Sequence, residues 1–121
     1  MSAYQEPVEE LQPQDRDIHR ALQTLIEEVE AVDRYHQRMV TSSEPGLKEV
    51  MAHNKIEEIE HACMAIEWHR RNDPGWEKEL REYLFTSAPI TEIEEAATGA
   101  EGSGEPASAT GRDIAIGSLK K

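Results

Sequence analysis

Apolar residues recur along the chain with the spacing of two long amphipathic helices. In the first, from about residue 15 to about residue 40, the positions on one face follow one another at alternating steps of four and three, the spacing of side chains that meet a partner helix in a bundle. They are Ile18, Leu22, Leu25, Val29, Val32, His36 and Met39. The second, from about residue 47 to about residue 71, repeats the spacing at Leu47, Met51, Asn54, Glu58, His61, Ala65 and Trp68. The segment TSSEPG between them has turn chemistry, so the pattern predicts an antiparallel helical hairpin.

The rest of the chain predicts shorter helices and flexible ends. Asp73 and Pro74 have the chemistry of an N-cap and a first-turn proline, and a further short helix is expected from about Pro89. No segment has the pattern of a strand, so the predicted fold class is all-α. The predicted boundaries are a flexible N-terminal arm at 1–14, a helical domain at 15–96, a flexible linker rich in small residues at 97–111, and a terminal segment at 112–121.

Two polar residues occupy the centre of the apolar face of the second helix. Glu58 and His61 stand where a packed helix would carry leucine, and burying one unpaired polar group costs roughly 2–7 kcal/mol. Either this face opens to solvent at its centre, or something there pairs with the carboxylate and the imidazole.

Composition narrows the function classes. The chain has 13 basic and 25 acidic residues and a formal net charge of -12, which argues against a nucleic-acid partner and is compatible either with attraction of cations or with ordinary solvated helices. No apolar run resembles a signal peptide or a membrane span, so a cytoplasmic location without membrane contact is expected. The lone Cys63 suits a reducing compartment, and its apolar row with Ile56, Ile59 and Ile66 predicts a buried thiol.

The spacing of Glu58 and His61 predicts a metal site. Residues three apart project from one helix face, and carboxylate with imidazole suits iron, manganese or zinc. Di-iron carboxylate bundles use two E-x-x-H motifs and one further Glu from each of two other helices. Glu28 lies at the middle of the first helix, where the antiparallel hairpin can bring it to Glu58. An ordinary histidine on a solvated face is the alternative.

One chain carries only half of such a site. It supplies one Glu and one E-x-x-H motif, with no second copy in the remaining helices. A complete site therefore needs a second chain related by a two-fold axis, and two hairpins would then form one four-helix bundle. The low aromatic content, 5%, also favours oligomerisation, because a monomer of this composition has a thin core.

Assembled in order, four segments of the chain resemble the encapsulated ferritins, the cargo ferroxidases of encapsulin nanocompartments. They are IEEVEAVDRYHQR at 26–38, MAHNKIEEIEH at 51–61, EWHRRNDPGWEKELREYLFTSAPIT at 67–91 and the terminal DIAIGSLKK. The resemblance implies a half-ferritin protomer that pairs into a ferritin-like bundle with a di-iron ferroxidase centre. It further implies that dimers join into a larger ring, expected to be a decamer, and that residues 112–121 bind an encapsulin shell that stores the iron.

The resemblance also implies roles for single residues. Glu28, Glu58 and His61 would hold the irons from each of two chains, and Tyr35 would complete the catalytic set beside them. Glu27 and Glu30 would form an acidic route along which metal ions reach the irons. A peripheral metal site would consist of His53, Glu57 and Glu60. Without the resemblance, these last five are equally an exposed charged surface. One position departs from the family, because Arg34 stands where it often has Trp.

Two other function classes remain open at this point. A non-catalytic helical assembly module could use the same ligands for a structural divalent ion, zinc or manganese. A metal-dependent hydrolase would need an additional positioned base, and the sequence reserves no further polar residue for it. The apolar residues Ile114, Ile116 and Leu119 predict a docking peptide at the end of the linker, with a frayed terminus as the alternative.

Overall fold

The computed structural model describes residues 4–103 and is helical throughout. One turn of 3-10 helix, Val8–Glu10, precedes four α-helices. These are α1 at Pro13–Thr41, α2 at Pro45–Asn72, α3 at Pro74–Tyr83 and α4 at Ile90–Ser103. No strand occurs between residues 4 and 103, and the predicted all-α class, two long helices followed by shorter ones, is confirmed. The chain divides into two compact units, Met1–His69 and Arg70–Lys121.

The N-terminal segment lies against α1 from residue 4 onward. The Arg16 guanidinium donates a hydrogen bond of 2.7 Å to the Val8 carbonyl oxygen. The Tyr4 ring stacks on the His19 ring at a centroid distance of 4.3 Å. The flexible arm predicted at 1–14 is therefore corrected for its described part, because these contacts tie it to the helix that follows.

The first two helices form the predicted antiparallel hairpin. His61 Nδ1 lies 3.2 Å from Glu28 Oε2, and Lys55 Nζ donates to His36 Nδ1 at 3.0 Å. Moving forward along α1 from Glu28 to His36 thus corresponds to moving backward along α2 from His61 to Lys55, which defines antiparallel helices. The Glu44 carboxylate accepts hydrogen bonds from two N–H groups of the first turn of α2, at 3.2 and 2.7 Å, and so caps the helix.

The contact between α1 and α2 is built from small side chains. Among residues 4–103 the apolar side chains that are fully buried are Ala31, Ala62 and Ala65, which are 5%, 8% and 9% exposed. Small residues at a helix contact allow the axes to approach closely. They bury little apolar surface, since each buried carbon group contributes only about 0.8 kcal/mol. The hairpin therefore has a thin core, as expected from the composition.

Large apolar side chains of the hairpin remain exposed. Eight of them are 42–64% exposed: Ile26, Val29, Val40, Leu47, Val50, Ile56, Ile59 and Met64. Cys63 is exposed as well, so the prediction of a buried thiol is wrong. The physical reason is that α1 packs against the alanine face of α2, and the row that carries Cys63 is turned away from this contact.

The second unit begins with the last turn of α2 and the start of α3. Asp73 is the N-cap of α3 and accepts a hydrogen bond of 2.8 Å from the Gly75 N–H, and Pro74 occupies the first helical position. Glu77 on α3 forms ion pairs with Arg70 of α2 and Arg81 of α3. The pair with Arg70 ties the end of α2 to the first turn of α3, and the pair with Arg81 lies within α3.

We expect Glu77→Gln to destabilise this junction by roughly 0.5–1 kcal/mol, because the amide removes the charge from two partly exposed ion pairs. The hydrogen bond from Arg81, and then that from Arg70, hold the pKa of Glu77 below its usual value. A depressed folded-state pKa stabilises the protein above the unfolded pKa of about 4.3, and this stabilisation is lost as the pH falls through the folded pKa. Urea denaturation followed by helical circular dichroism, near pH 7 and near pH 3, measures both effects. Glu79→Gln on the same helix is the matched control, and equal losses from the two variants at neutral pH would contradict the assignment.

The last helix is longer than the sequence pattern predicts. The Pro89 carbonyl accepts hydrogen bonds from the N–H groups of Glu92 and Ile93 at 3.0 and 3.2 Å, which starts α4, and α3 packs against it. The helix continues to Ser103, so the linker predicted to begin at residue 97 is corrected at its start. Alanines are strong helix formers, and those near residue 97 outweigh the cost of Gly99, about 1 kcal/mol. The remainder of that linker and the predicted docking peptide at 112–121 lie outside the described residues.

Candidate metal centre

Three side chains from the middle of the hairpin converge on one point. His61 Nδ1 lies 2.8 Å from Glu58 Oε1 on its own helix and 3.2 Å from Glu28 Oε2 on α1. One ligand atom from each residue lies within 4.8 Å of the others. The two glutamate side chains are 22% exposed and the histidine 44%, so the group lies at the surface of the hairpin and not inside it.

The local sequence explains this convergence. Glu58 and His61 are one helical turn apart, so their side chains rise from the same face of α2. The alanine contacts at Ala31, Ala62 and Ala65 hold α1 close enough for Glu28 to reach both of them. The structure therefore brings together the three ligands predicted from the spacing. Within residues 4–103 they form the group of acidic and histidine side chains that could hold a metal ion.

The three side chains shift one another's pKa values. A hydrogen bond with Glu58 raises the pKa of Glu28, with burial adding to the rise. The same hydrogen bond lowers the pKa of Glu58, and His61 and Arg34 lower it further. The pKa of His61 is raised, chiefly by its hydrogen bond to Glu58. The shifts favour proton binding at Glu28 and His61, so a cation held by this group would compete with protons.

The donor set fits a divalent transition metal. Carboxylate oxygen and imidazole nitrogen are ligands that iron, manganese and zinc all accept. Three donor atoms from one chain leave coordination positions open, and the group faces outward. The residues present therefore fit a divalent metal ion, and a di-iron centre completed by a second chain stays a prediction.

The other predicted site residues lie around this centre. Tyr35 is half-buried on α1, about two turns beyond Glu28 on the same side of the helix. The Arg38 guanidinium lies over its ring, 5.5 Å from the centroid. Arg34 is exposed on the same helix. The structure thus places Tyr35 along the same hairpin face and outside the three-ligand group.

The predicted acidic route and peripheral site are exposed. Glu27 and Glu30 lie on α1 and join no group of three potential ligands among the described residues. On α2, His53 Nε2 and Glu57 Oε2 are 3.8 Å apart, with side chains 71% and 48% exposed, and Glu60 is exposed nearby. The structure brings two of the three peripheral residues together within one chain, and the metal roles of all five stay predictions.

A cavity of about 620 Å³ opens beside the centre, on the same face of the hairpin. Glu28 and His61 line it together with other side chains of α1 and α2. These include Asp17, Arg20, Thr24, Met64 and Trp68. The sequence pattern does not assign these residues to the site. Their positions, one to three turns from Glu28 or His61 on the flank of each helix, are the signal that could have found them.

The chain is similar to several known proteins. A "Ferritin-like protein" of Thermotoga maritima is 51% identical over 116 residues, which is 96% of each chain. An "Encapsulated ferritin-like protein" of Rhodospirillum rubrum is 50% identical over 120 residues, covering 95% of this chain and 86% of that protein. A crystal structure of a protein from Nitrosomonas europaea superposes with a TM-score of 0.71 at 52% identity, covering 74% of this chain and 99% of that one.

Two further findings bear on the family. None of the helices within the described residues is long and apolar enough to cross a membrane. The model of the EncFtn-like family matches residues 3–87, which contain the hairpin, all three residues of the candidate centre and α3. The resemblance inferred from the sequence is confirmed, and the chain belongs to the EncFtn-like family.

Proposed function

We propose that this protein is a ferroxidase that oxidises Fe(II) to Fe(III) at a di-iron centre shared by two chains. The observation that carries the proposal is the convergence of Glu28, Glu58 and His61 at the open face of the hairpin. Membership of the EncFtn-like family and the similarity to proteins named ferritin-like support the same conclusion.

The open face of the hairpin supports pairing with a second chain. Three donors cannot fill the coordination of two metal ions, whereas a two-fold axis through this face doubles the set. The same pairing would cover the cavity and the apolar side chain of Met64, which is 58% exposed. Two hairpins then make one four-helix bundle with the centre at their interface.

A second apolar face supports further assembly into a ring. Ile56 and Ile59 are 64% and 42% exposed, and at about 100° per residue they point roughly 140–160° away from His61. Ile26 and Val29 on α1, 47% and 53% exposed, also point away from the site. A chain with two separate faces for copies of itself links dimers into a closed ring, and the family resemblance suggests a decamer.

The residues of the chain supply the chemistry that iron oxidation needs. Bound carboxylates stabilise Fe(III) more than Fe(II), because the attraction grows with the charge of the ion. Glu58, the carboxylate of the E-x-x-H motif, would hold the metal together with Glu28 and His61, and a second chain would complete the set. A bound cation would compete with protons for these carboxylates and for the imidazole nitrogen Nδ1 of His61. Tyr35 would lie further along the same face, and Glu27 and Glu30 would guide cations inward, aided by the net charge of -12.

The proposed place of action is the interior of an encapsulin nanocompartment. The relative from Rhodospirillum rubrum is named as encapsulated, and residues 112–121 of this chain carry apolar side chains after a linker rich in small residues. A bundle this narrow encloses no mineral cavity, so Fe(III) passes to the shell for storage. Residues 53, 57 and 60 form the peripheral metal site when copies assemble.

A non-catalytic assembly module with structural zinc or manganese is the second candidate, since the same three ligands fit those ions. Aerobic addition of Fe(II) separates the two. A ferroxidase accelerates oxidation above the spontaneous rate, whereas a structural site binds metal without turnover.

We expect the oxidation rate per chain to fall on dilution in proportion to the dimer population, because each chain holds half a site. Added metal should shift chains toward dimers and larger oligomers by mass action. Stopped-flow oxidation assays across a dilution series, with sedimentation velocity on the same samples, measure both quantities. A Glu58→Ala chain carried through the same series is the control for spontaneous oxidation. Full activity per chain in a sample shown to be monomeric would contradict the shared centre.

A further inference from the structure

One oxidisable side chain shares the cavity with the candidate centre. Met64 follows His61 by one helical turn, a rise of about 4.5 Å along α2, and lines the same cavity of about 620 Å³ as Glu28 and His61. Its side chain is 58% exposed, although a thioether gains free energy from burial.

The other described methionines are placed differently. Met39 on α1 and Met51 on α2 are partly buried along the hairpin and do not line this cavity. Cys63 is exposed and adjacent to Met64 in sequence, yet it belongs to the row that is turned away from α1 and does not line the cavity. Among residues 4–103, Met64 is therefore the sulfur side chain beside the centre, and Met39, Met51 and Cys63 are matched sulfur groups away from it.

We propose that Met64 is an oxidation site that intercepts hydrogen peroxide formed at the centre. The inference rests on the proposed function. Two Fe(II) ions give one electron each to dioxygen, which takes up two protons and becomes hydrogen peroxide. The Met64 thioether accepts one oxygen atom as the O–O bond breaks, the other oxygen leaves as water, and the side chain becomes a sulfoxide.

The position of Met64 favours its reaction with the hydrogen peroxide over the reaction of that peroxide with scavengers in solution. In the proposed dimer the face with the cavity is covered by the second copy, so an oxidant made at the centre meets Met64 before it reaches bulk solvent. Among the groups that line the cavity, a thioether is oxidised by peroxide in a single two-electron step, and the sulfoxide is reversible by reductases. Met64 thus consumes an oxidant that would otherwise damage the ligands.

The test follows oxygen incorporation by tandem mass spectrometry of the full-length protein after successive aerobic additions of Fe(II), with catalase in the solution. We expect a mass increase of about 16 Da, one oxygen atom, at Met64 that grows with the iron oxidised, while Met39, Met51 and Cys63 stay unmodified. Hydrogen peroxide added without iron should instead modify the exposed Cys63 as well. In Glu58→Ala, Fe(II) should leave Met64 unmodified.

A variant that lacks the thioether of residue 64 provides a second test. Met64→Leu conserves volume, so iron oxidation should continue while the hydrogen peroxide released into solution, measured in the absence of catalase, rises above the wild-type level. Met39→Leu is the matched control and should release no more peroxide than the wild type. A protein that oxidises iron but leaves Met64 unmodified, or whose Met64 oxidation disappears with catalase, overturns this inference alone. A protein that does not oxidise Fe(II) overturns the proposed function and this inference with it.

Discussion

His61→Ala or Glu58→Ala should reduce iron oxidation to the spontaneous rate while the helices remain folded. Both side chains supply donor atoms to the group, and loss of a residue that merely supports a ligand already costs about 10–100-fold, so loss of a ligand should cost at least about 100-fold. Glu28→Ala should have the same effect or leave a crippled site, since Glu28 is the donor from α1. Stopped-flow oxidation of Fe(II) and calorimetric metal binding measure the loss of turnover and of affinity separately.

Glu49→Ala is a matched control for these variants, because Glu49 is an exposed carboxylate of the same helix outside the centre. It should oxidise iron at the wild-type rate. Circular dichroism should show equal helix content in all variants, since the ligands lie at the surface of the hairpin. Full activity in His61→Ala would show that the centre lies elsewhere.

Deletion of residues 112–121 should abolish loading into an encapsulin shell and leave iron oxidation and oligomeric state unchanged. The helices and the three ligands lie upstream of this segment, so the centre does not need it. A single segment with three apolar side chains buries little surface and binds weakly. The proposed ring would present many copies to a shell with many identical pockets and would gain from effective concentration. Co-expression with the shell protein and purification of the shell measures the loss as absence of the truncated chain.

Fusion of the same segment to an unrelated soluble protein provides the converse experiment. The fusion should co-purify with the shell, while a version with Ile114, Ile116 and Leu119 replaced by Ser should not. The Ser version keeps the length and charge of the segment, so it isolates the apolar contribution. A truncated chain that loads as well as the full chain would end the docking hypothesis.

Much of the candidate centre was predictable from sequence because it depends on periodicity and on the length of the hairpin. The three-residue step from Glu58 to His61 puts both on one face of any helix, and a short turn between two helices of similar length brings their midpoints together. Glu28 is the candidate from α1 at that midpoint. Whether its side chain reaches Glu58 and His61 depends on how closely the two helices pack.

Most of the features that the sequence did not predict depend on packing. Periodicity shows that Ile56, Ile59 and Cys63 share a face, but it does not show which face of α2 meets α1. The face that meets α1 is the one that carries Ala62 and Ala65, because their small side chains allow the two helices to approach most closely. The same limit applies to Met64 and Trp68, which belong to the site only because one flank of the hairpin is left open. At α4 the helix passes Gly99 because neighbouring alanines favour it.

The contact between α1 and α2 through Ala31, Ala62 and Ala65 has a consequence for protein turnover in the cell. Because the fully buried apolar side chains of the described hairpin are alanines, we expect a chain without partners to have low stability and to open often. Open chains are degraded by proteases, whereas assembled chains are protected. Limited proteolysis of the dilution series described above would show cleavage rising as the dimer dissociates. Degradation would then remove orphan chains before they could hold redox-active iron at an uncovered half-site.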